Sequence, residues 1–87
     1  MMSILWMDIR ATFGGNLRRF RKKAGLSQEH LADLMGVDRA HVSSMERGQQ
    51  NVTLITIWHA AQALNVAPAE FLIEAATVPE DDERRAS

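Results

Sequence analysis

The 87-residue chain contains no cysteine, so neither a disulfide nor a thiolate metal site is available to it. Its apolar runs are far shorter than the roughly 20 residues that a membrane-spanning helix requires. The apolar residues 4–7 are also too few for the hydrophobic region of a signal peptide. We therefore expect a protein of the reducing cytoplasm that has no membrane partner.

Patterns that mark an active site or a cofactor site are also missing. His30, His41 and His59 show no metal-ligand spacing, and the chain has neither a glycine-rich phosphate loop nor a nucleophile motif. A domain of this size also leaves no room for an effector pocket beside its core. The sequence therefore predicts no catalytic residue, no metal and no cofactor, and a protein that is not an enzyme.

Positive charge is not abundant overall, but it is concentrated in one half of the chain. The formal net charge is −1. Within residues 9–56 there are eight lysines and arginines and four acids, whereas residues 57–87 carry two basic and six acidic groups. A basic half suits a polyanionic partner. A run of charges taken alone is more simply explained as a solvated helix face. Whether these charges bind a polyanion therefore depends on the motif that follows them in the chain.

Residues 26–48 contain the most informative pattern. Ser27 precedes a helical apolar pattern and is suited to cap a helix, and Gly36 follows where that helix must end. Asp38 then offers a second N-cap, and Gly48 ends the next helical run. Two short helices joined by such a tight turn form a helix-turn-helix.

The two faces of this unit differ in chemistry. Its apolar positions are expected to face inward: Leu31, Ala32, Met35, Val37, Val42 and Met45. The outward positions of its second helix are small, polar or basic: Arg39, Ala40, His41, Ser43, Ser44 and Arg47. A helix packed on both sides would not carry such residues, so this outward face is predicted to meet a polar surface.

Three further helices are predicted around the helix-turn-helix. Residues 8–24 form the first, with Gly14 and Gly15 each costing about 1 kcal/mol relative to alanine. Its apolar stripe recurs at three- and four-residue steps: Ile9, Phe13, Leu17, Phe20 and Ala24. Thr53 caps a fourth helix, whose expected inward residues are Leu54, Ile57, Ala61 and Leu64. Pro68 starts a fifth, carrying Phe71, Leu72 and Ala75, although Ala67 offers it no capping oxygen.

Three runs of residues carry a family resemblance: Leu26-Ser27-Gln28-Glu29-His30-Leu31-Ala32, Gly36-Val37-Asp38-Arg39 and Val42-Ser43-Ser44-Met45-Glu46-Arg47-Gly48. They are similar to the DNA-binding domain of lambda-repressor/Cro-type bacterial regulators, the xenobiotic-response-element family. The resemblance extends from about Phe13 to Leu72. It implies an all-α, five-helix lambda-repressor-like domain with its helix-turn-helix at helices 2 and 3, and double-stranded DNA as the partner.

The resemblance, together with the spacing, implies roles for individual residues. The base-reading candidates are Arg39, Ala40 and Ser44, flanked by His41 and Ser43. The phosphate-binding candidates are Gln28, Arg18, Arg19, Lys22, Arg47, Gln49 and Asn51. Arg21 and Glu46 match a family pair that joins the first helix to the third, which implies a structural role for both.

A lone domain of this type covers too few base pairs to select one locus, so a homodimer on a pseudo-palindromic operator is expected. The surface assigned to dimerisation combines Ile55, Trp58, Phe71 and Ile73. The size of the chain and the run after the third helix are also similar to controller proteins of restriction–modification systems. The alternative is an antitoxin-like or protein-docking helix-turn-helix module whose main partner is another protein.

The two ends of the chain are expected to lie apart from this domain, which spans residues 9–76. Residues 1–8 form an N-terminal arm, which packs on its own domain or on a second subunit. Translation starting at Met7 would remove most of it. Residues 77–87 have almost nothing to bury and are predicted to be a disordered acidic tail.

Overall fold

Within residues 8–74, four α-helices and one 3-10 helix form where the caps, glycines and apolar periods of the sequence predict helices. The structure, a computed structural model, describes residues 8–74. Its helices are α1 (Ile9–Lys23), α2 (Gln28–Met35), α3 (Arg39–Glu46), α4 (Leu54–Leu64) and the 3-10 helix (Pro68–Leu72). The all-α prediction is confirmed, and α2 and α3 form the helix-turn-helix. Ala75 of the predicted fifth helix, the predicted tail (residues 77–87) and residues 1–7 of the predicted arm lie outside the described residues.

Polar side chains cap three of the four α-helices. Asp8, Ser27 and Thr53 accept hydrogen bonds from the backbone N–H groups at the starts of α1, α2 and α4. Asp38 precedes α3, but its side chain makes no capping hydrogen bond. Its backbone carbonyl instead accepts from the N–H groups of His41 and Val42. The prediction that the Asp38 side chain caps α3 was therefore wrong, although α3 begins where it was expected.

The fifth helix is a single short 3-10 segment rather than an α-helix. Ala67 provides no side-chain cap, and Pro68 has no N–H to donate. The segment is held by an i to i+3 bond from the N–H of Glu70 to the carbonyl of Ala67, at 2.9 Å. Such bonds define the 3-10 geometry, which rarely continues beyond one turn.

The core lies between α1, the helix-turn-helix and α4. Its buried apolar residues are Phe13, Leu17, Leu31, Ala32, Met35, Val42, Met45, Ile57, Ala60, Ala61, Leu64 and Phe71. The Phe71 ring lies between two rings of α1, with centroids 5.5 Å from Phe13 and 5.4 Å from Phe20. Aromatic pairs at this separation add to the stabilisation that burial provides. The 3-10 helix is therefore anchored in the core by one aromatic side chain.

Three residues of the predicted apolar helix faces are exposed instead: Ile9, Ala24 and Leu54. Ile9 is 61% exposed and Leu54 is 80% exposed. Both lie in the first turn of their helices, on the rim of a shallow apolar cleft of about 160 Å³ that Leu72 also lines. The helical period predicts on which face of a helix a residue lies. Here the neighbouring elements do not cover the first turn of that face, so Ile9 and Leu54 remain exposed.

Helix α1 crosses the end of α3 at backbone contact distance, and Gly14 makes this possible. A Cβ atom at Gly14 would overlap the carbonyl oxygen of Met45 and lie 2.9 Å from that of Glu46. A Cβ atom at Gly15 would meet nothing within 4 Å. The first glycine therefore offsets its helix cost through close packing, whereas the second does not.

Alanine substitutions at these two glycines are expected to have opposite effects. Gly14→Ala should lower the free energy of unfolding by about 1–3 kcal/mol, because α1 must move away from α3. Gly15→Ala should raise it by up to about 1 kcal/mol, because alanine favours the helix. Urea denaturation followed by circular dichroism measures both. Equal effects from the two variants would contradict the close approach at Gly14.

Candidate nucleic-acid interface

The turn between α2 and α3 sets the direction of α3. Gly36 ends α2 in the left-handed region, with φ of 75°. The N–H of Val37 then bonds back to the carbonyl of Ala32 at 2.9 Å, which closes the turn. The inward residues Val42 and Met45 of α3 are only 0% and 1% exposed. One face of α3 thus packs against the core, and the opposite face lies at the surface.

The outward face of α3 is accessible at all five positions that were predicted to read bases. Arg39 and Ala40 are exposed, and His41, Ser43 and Ser44 are half-buried. Arg39 is the first residue of α3, so its long side chain lies at the N-terminal end of the helix, next to the turn. The face therefore presents a guanidinium, a methyl group, an imidazole and two hydroxyls, without a large aliphatic side chain.

Side chains beyond the end of α3 bond back to this face. The Nη1 atom of Arg47 donates to the hydroxyl of Ser43, and its Nε donates to Oε1 of Gln49 at 3.3 Å. The Nε2 atom of Gln50 donates to the hydroxyl of Ser44 at 3.0 Å. Gln49 and Asn51 are exposed. The sequence had indicated Gln49 as a phosphate ligand, but nothing in the helical period pointed to Gln50, which follows the glycine turn.

The predicted structural pair is present and buried. Arg21 donates from Nε to Glu46 Oε2 at 2.6 Å and from Nη2 to Glu46 Oε1 at 3.0 Å. The side chains are 9% and 2% exposed. The hydrogen bonds to Glu46 raise the pKa of the Arg21 guanidinium above its ordinary value, against the opposing effect of burial. A third bond, from Nη1 to the carbonyl of Leu26 at 2.8 Å, extends the contact to the chain before α2.

Gln28, which was predicted to bind phosphate, also belongs to this cluster. Its Nε2 atom donates to Glu46 Oε1 at 3.0 Å, and the residue is half-buried at the start of α2. An amide nitrogen carries two hydrogens, so one remains after this bond is made. The structure thus places Gln28 between the buried ion pair and the surface at the N-terminus of α2.

The three basic residues of α1 that were predicted to bind phosphate divide into two groups. Arg18 and Lys22 are exposed and four residues apart, so they lie on one side of the helix. Arg19 is turned elsewhere, because its Nη2 donates to Asn16 Oδ1 at 2.9 Å and its guanidinium lies 4.6 Å from the Phe20 ring. Arg19 therefore lies on a different side of α1 from Arg18 and Lys22, and its contact with phosphate stays a prediction.

Asn16, which the sequence did not single out, joins α1 to the end of the described chain. It is 3% exposed. Its Nδ2 atom donates to the carbonyls of Phe71 and Ile73, at 2.7 and 2.8 Å. These bonds satisfy one backbone carbonyl in the last turn of the 3-10 helix and one just after it, because the helix is too short to pair them itself.

The residues assigned to dimerisation do not all reach the surface. Ile55, Trp58 and Ile73 are 61%, 49% and 38% exposed. Phe71 is fully buried, so its assignment to an interface was wrong. It had been judged from its place in a short terminal helix, whereas its ring completes the core with two phenylalanines of α1.

Other kinds of site find no support between residues 8 and 74. No group of three or more histidine, cysteine, aspartate or glutamate side chains in this part of the chain is placed to hold a metal ion. None of the helices there has the length and apolar content needed to cross a bilayer.

The fold and the polar face of α3 define an all-α helix-turn-helix domain, and comparison with known proteins agrees. The family model described as helix-turn-helix matches residues 17–71, and the chain belongs to this family of DNA-binding transcriptional regulators. The control protein C.SmaI of Serratia marcescens is 41% identical over 69 residues, which are 79% of this chain and 82% of that protein.

Two solved structures show the same fold. The restriction–modification controller protein C.AhdI from Aeromonas hydrophila is 48% identical, with a TM-score of 0.69 over 71% of this chain and 94% of that one. The hypothetical transcription factor NHTF from Neisseria is 38% identical, with a TM-score of 0.75 over 90% of this chain and 85% of that one. The predicted family and its likeness to controller proteins are confirmed.

Removal of one member of the buried pair should destabilise the domain strongly. In Arg21→Met, the Glu46 carboxylate stays buried without its cation, and the free energy of unfolding should fall by about 3–5 kcal/mol. The control is Arg10→Met, which breaks the exposed pair between Arg10 and Asp8 and should change little. Urea denaturation at neutral pH compares them. Similar losses in both variants would contradict a special role for the buried pair.

Proposed function

We propose that this protein is a sequence-specific transcriptional regulator of the cytoplasm that binds a pseudo-palindromic operator as a homodimer through the major groove. The observation that carries the proposal is the outward face of α3, which is accessible, polar and cationic on a helix whose other face is buried. A domain used only for structure would have no need of such a face.

The dimensions of α3 suit the major groove. With its side chains an α-helix is about 10–12 Å in diameter, and the major groove is about 12 Å wide, so the eight-residue α3 can lie in it. Arg39 stands at its N-terminal end, where its guanidinium donates two parallel bonds to O6 and N7 of a guanine. Ala40 offers a methyl contact to thymine, and Ser44 a hydrogen bond one turn further along. His41 and Ser43 flank these three.

Phosphate contacts would position the domain on both sides of this helix. On one side lie Arg18 and Lys22 of α1, together with Gln28 and the exposed N–H groups at the start of α2. On the other side lie the polar residues after α3: Arg47, Gln49 and Asn51. In the free protein, Arg47 bonds to Ser43 and Gln49, so its position is partly set before DNA arrives.

A homodimer would use the apolar surface formed by Ile55, Trp58 and Ile73. These side chains are large and exposed, although the opposite face of α4 is already buried in the core. An apolar face left over after the core is complete indicates an interaction surface. Two-fold pairing would present two α3 helices to two half-sites, which gives the selectivity that one half-site lacks.

A narrower candidate within the same class is the control of a restriction–modification system. It is favoured by the identities of 41% and 48% to C.SmaI and C.AhdI, which their names describe as control and controller proteins. Selective binding to a DNA fragment that lies upstream of restriction and modification genes beside this gene would support it. Binding sites elsewhere only would support a regulator of other genes.

Selection of tight binders from random DNA tests the proposal directly. The wild type should yield a pseudo-palindromic consensus. Arg39→Ala should lose one base preference, worth about 1–3 kcal/mol, because a bidentate contact to guanine disappears. The control is Lys23→Ala, which also removes one charge but lies half a helical turn out of phase with Gly14, on the side of α1 away from α3. It should keep the full consensus.

Two results would count against sequence-specific reading by α3. One is a wild type that binds weakly and selects no consensus, which would favour a protein partner instead. The other is an Arg39→Ala variant that selects the same bases as Lys23→Ala.

Dimerisation is tested with a charged residue in the proposed interface. Trp58→Lys should raise the dimer dissociation constant at least about tenfold, because a lysine ammonium must be desolvated in an apolar contact. The control is Leu34→Lys, at a leucine of α2 that is 52% exposed. Sedimentation equilibrium over a range of concentrations measures both. A monomeric wild type, or equal weakening by both variants, would contradict this interface.

A further inference from the structure

Ser44 and Gln50 form a side-chain pair at the edge of the α3 face. Gln50 Nε2 donates to Ser44 Oγ at 3.0 Å, and both residues are half-buried. The six-residue separation is bridged because Gly48 turns the chain in the left-handed region, with φ of 74°. The N–H of Gln49 then bonds to the carbonyl of Ser44 at 3.0 Å, which brings the following residue back over α3.

This bond favours one use of the Ser44 hydroxyl, that of a donor. A serine hydroxyl has one hydrogen to donate and two lone pairs that accept. Gln50 occupies one of the two lone pairs and leaves the hydrogen and the other lone pair, and a hydroxyl that accepts a bond becomes a stronger donor. Without Gln50, the hydroxyl would be free to rotate and to act as either donor or acceptor.

We propose that Gln50 determines specificity by fixing Ser44 as a hydrogen-bond donor toward the base that it faces. The inference rests on the proposed function, because it requires α3 in the major groove. In that groove guanine presents the acceptors O6 and N7, thymine presents O4, and cytosine presents only its N4 donor. The base opposite Ser44 is therefore guanine or thymine rather than cytosine. Adenine presents both an acceptor and a donor, so a preference for adenine does not distinguish a donating from an accepting hydroxyl.

Gln49 is the matched control position. It is exposed, and its Oε1 atom accepts a bond from Arg47 rather than contacting Ser44. Glutamate at position 49 keeps an acceptor for Arg47 and adds the same negative charge, one residue away from Gln50. Any effect of that charge on phosphate attraction is thereby separated from an effect on the Ser44 hydroxyl.

The experiment is selection from random DNA, with sequencing of the bound pool, for the wild type and four variants. Ser44→Ala identifies the operator position that depends on Ser44. Gln50→Ala should relax the preference there by roughly threefold to tenfold, since an orienting hydrogen bond is lost. Gln50→Glu should move the same position toward cytosine, because a carboxylate only accepts and turns the Ser44 hydroxyl around. Gln49→Glu should weaken binding but keep the consensus.

The inference is overturned if Ser44→Ala alters one position while both Gln50 variants keep the wild-type base frequencies there. It is also overturned if the wild type prefers cytosine at the Ser44-dependent position, or if Ser44→Ala alters no position. All of these results leave sequence-specific binding intact. A folded wild type without any consensus would instead refute the proposed function, and this inference with it. Circular dichroism of each variant checks that it is folded.

Discussion

The buried contact between Arg21 and Glu46 is the point at which α1 and the two helices of the helix-turn-helix are joined. Arg21 lies in α1, Glu46 is the last residue of α3, and Gln28 bonds to the same carboxylate from the start of α2. A third bond from Arg21 reaches the carbonyl of Leu26. The side chains of Arg21 and Glu46 are only 9% and 2% exposed, so water has little access to this ion pair. The relative placement of three helix ends therefore depends on one carboxylate.

Close backbone packing complements that polar contact. An isolated helix of eight residues is not stable in water, so the conformation of α3 depends on what it packs against. Gly14 allows α1 to lie against the carbonyls of Met45 and Glu46, about two turns before Arg21 makes its bonds to the same helix end. Side chains on the opposite face of α3 are thus carried by a helix fixed along its inner face and at its C-terminus.

The helix positions could be predicted from the sequence because caps and glycines act locally. Ser27, Gly36 and Thr53 are each recognised by groups within four residues, and all three behave as expected. The pair of Arg21 and Glu46 was predicted only through the family resemblance, since no local pattern links residues 25 positions apart.

The errors arose where the answer depended on distant neighbours. Helical period placed Ile9 and Leu54 on inward faces, but whether another element covers the first turn of a helix is a tertiary question. Phe71 was judged from its terminal position, although two phenylalanines of α1 surround it. Gln50 was overlooked for the same reason, because its contact with Ser44 requires a chain reversal that periodicity does not describe.

The two bonds from Asn16 have a geometric consequence for the assembly. They attach the backbone of Phe71 and Ile73 to α1, and α1 is itself fixed to α3. In the proposed dimer, Ile73 meets the partner subunit while α3 meets the DNA. In such a dimer, the connection from Ile73 through Asn16 to α1 and α3 sets the distance from the two-fold axis to each recognition helix. The amide of Asn16 therefore helps to determine the number of base pairs between half-sites. That number must match the helical repeat of DNA.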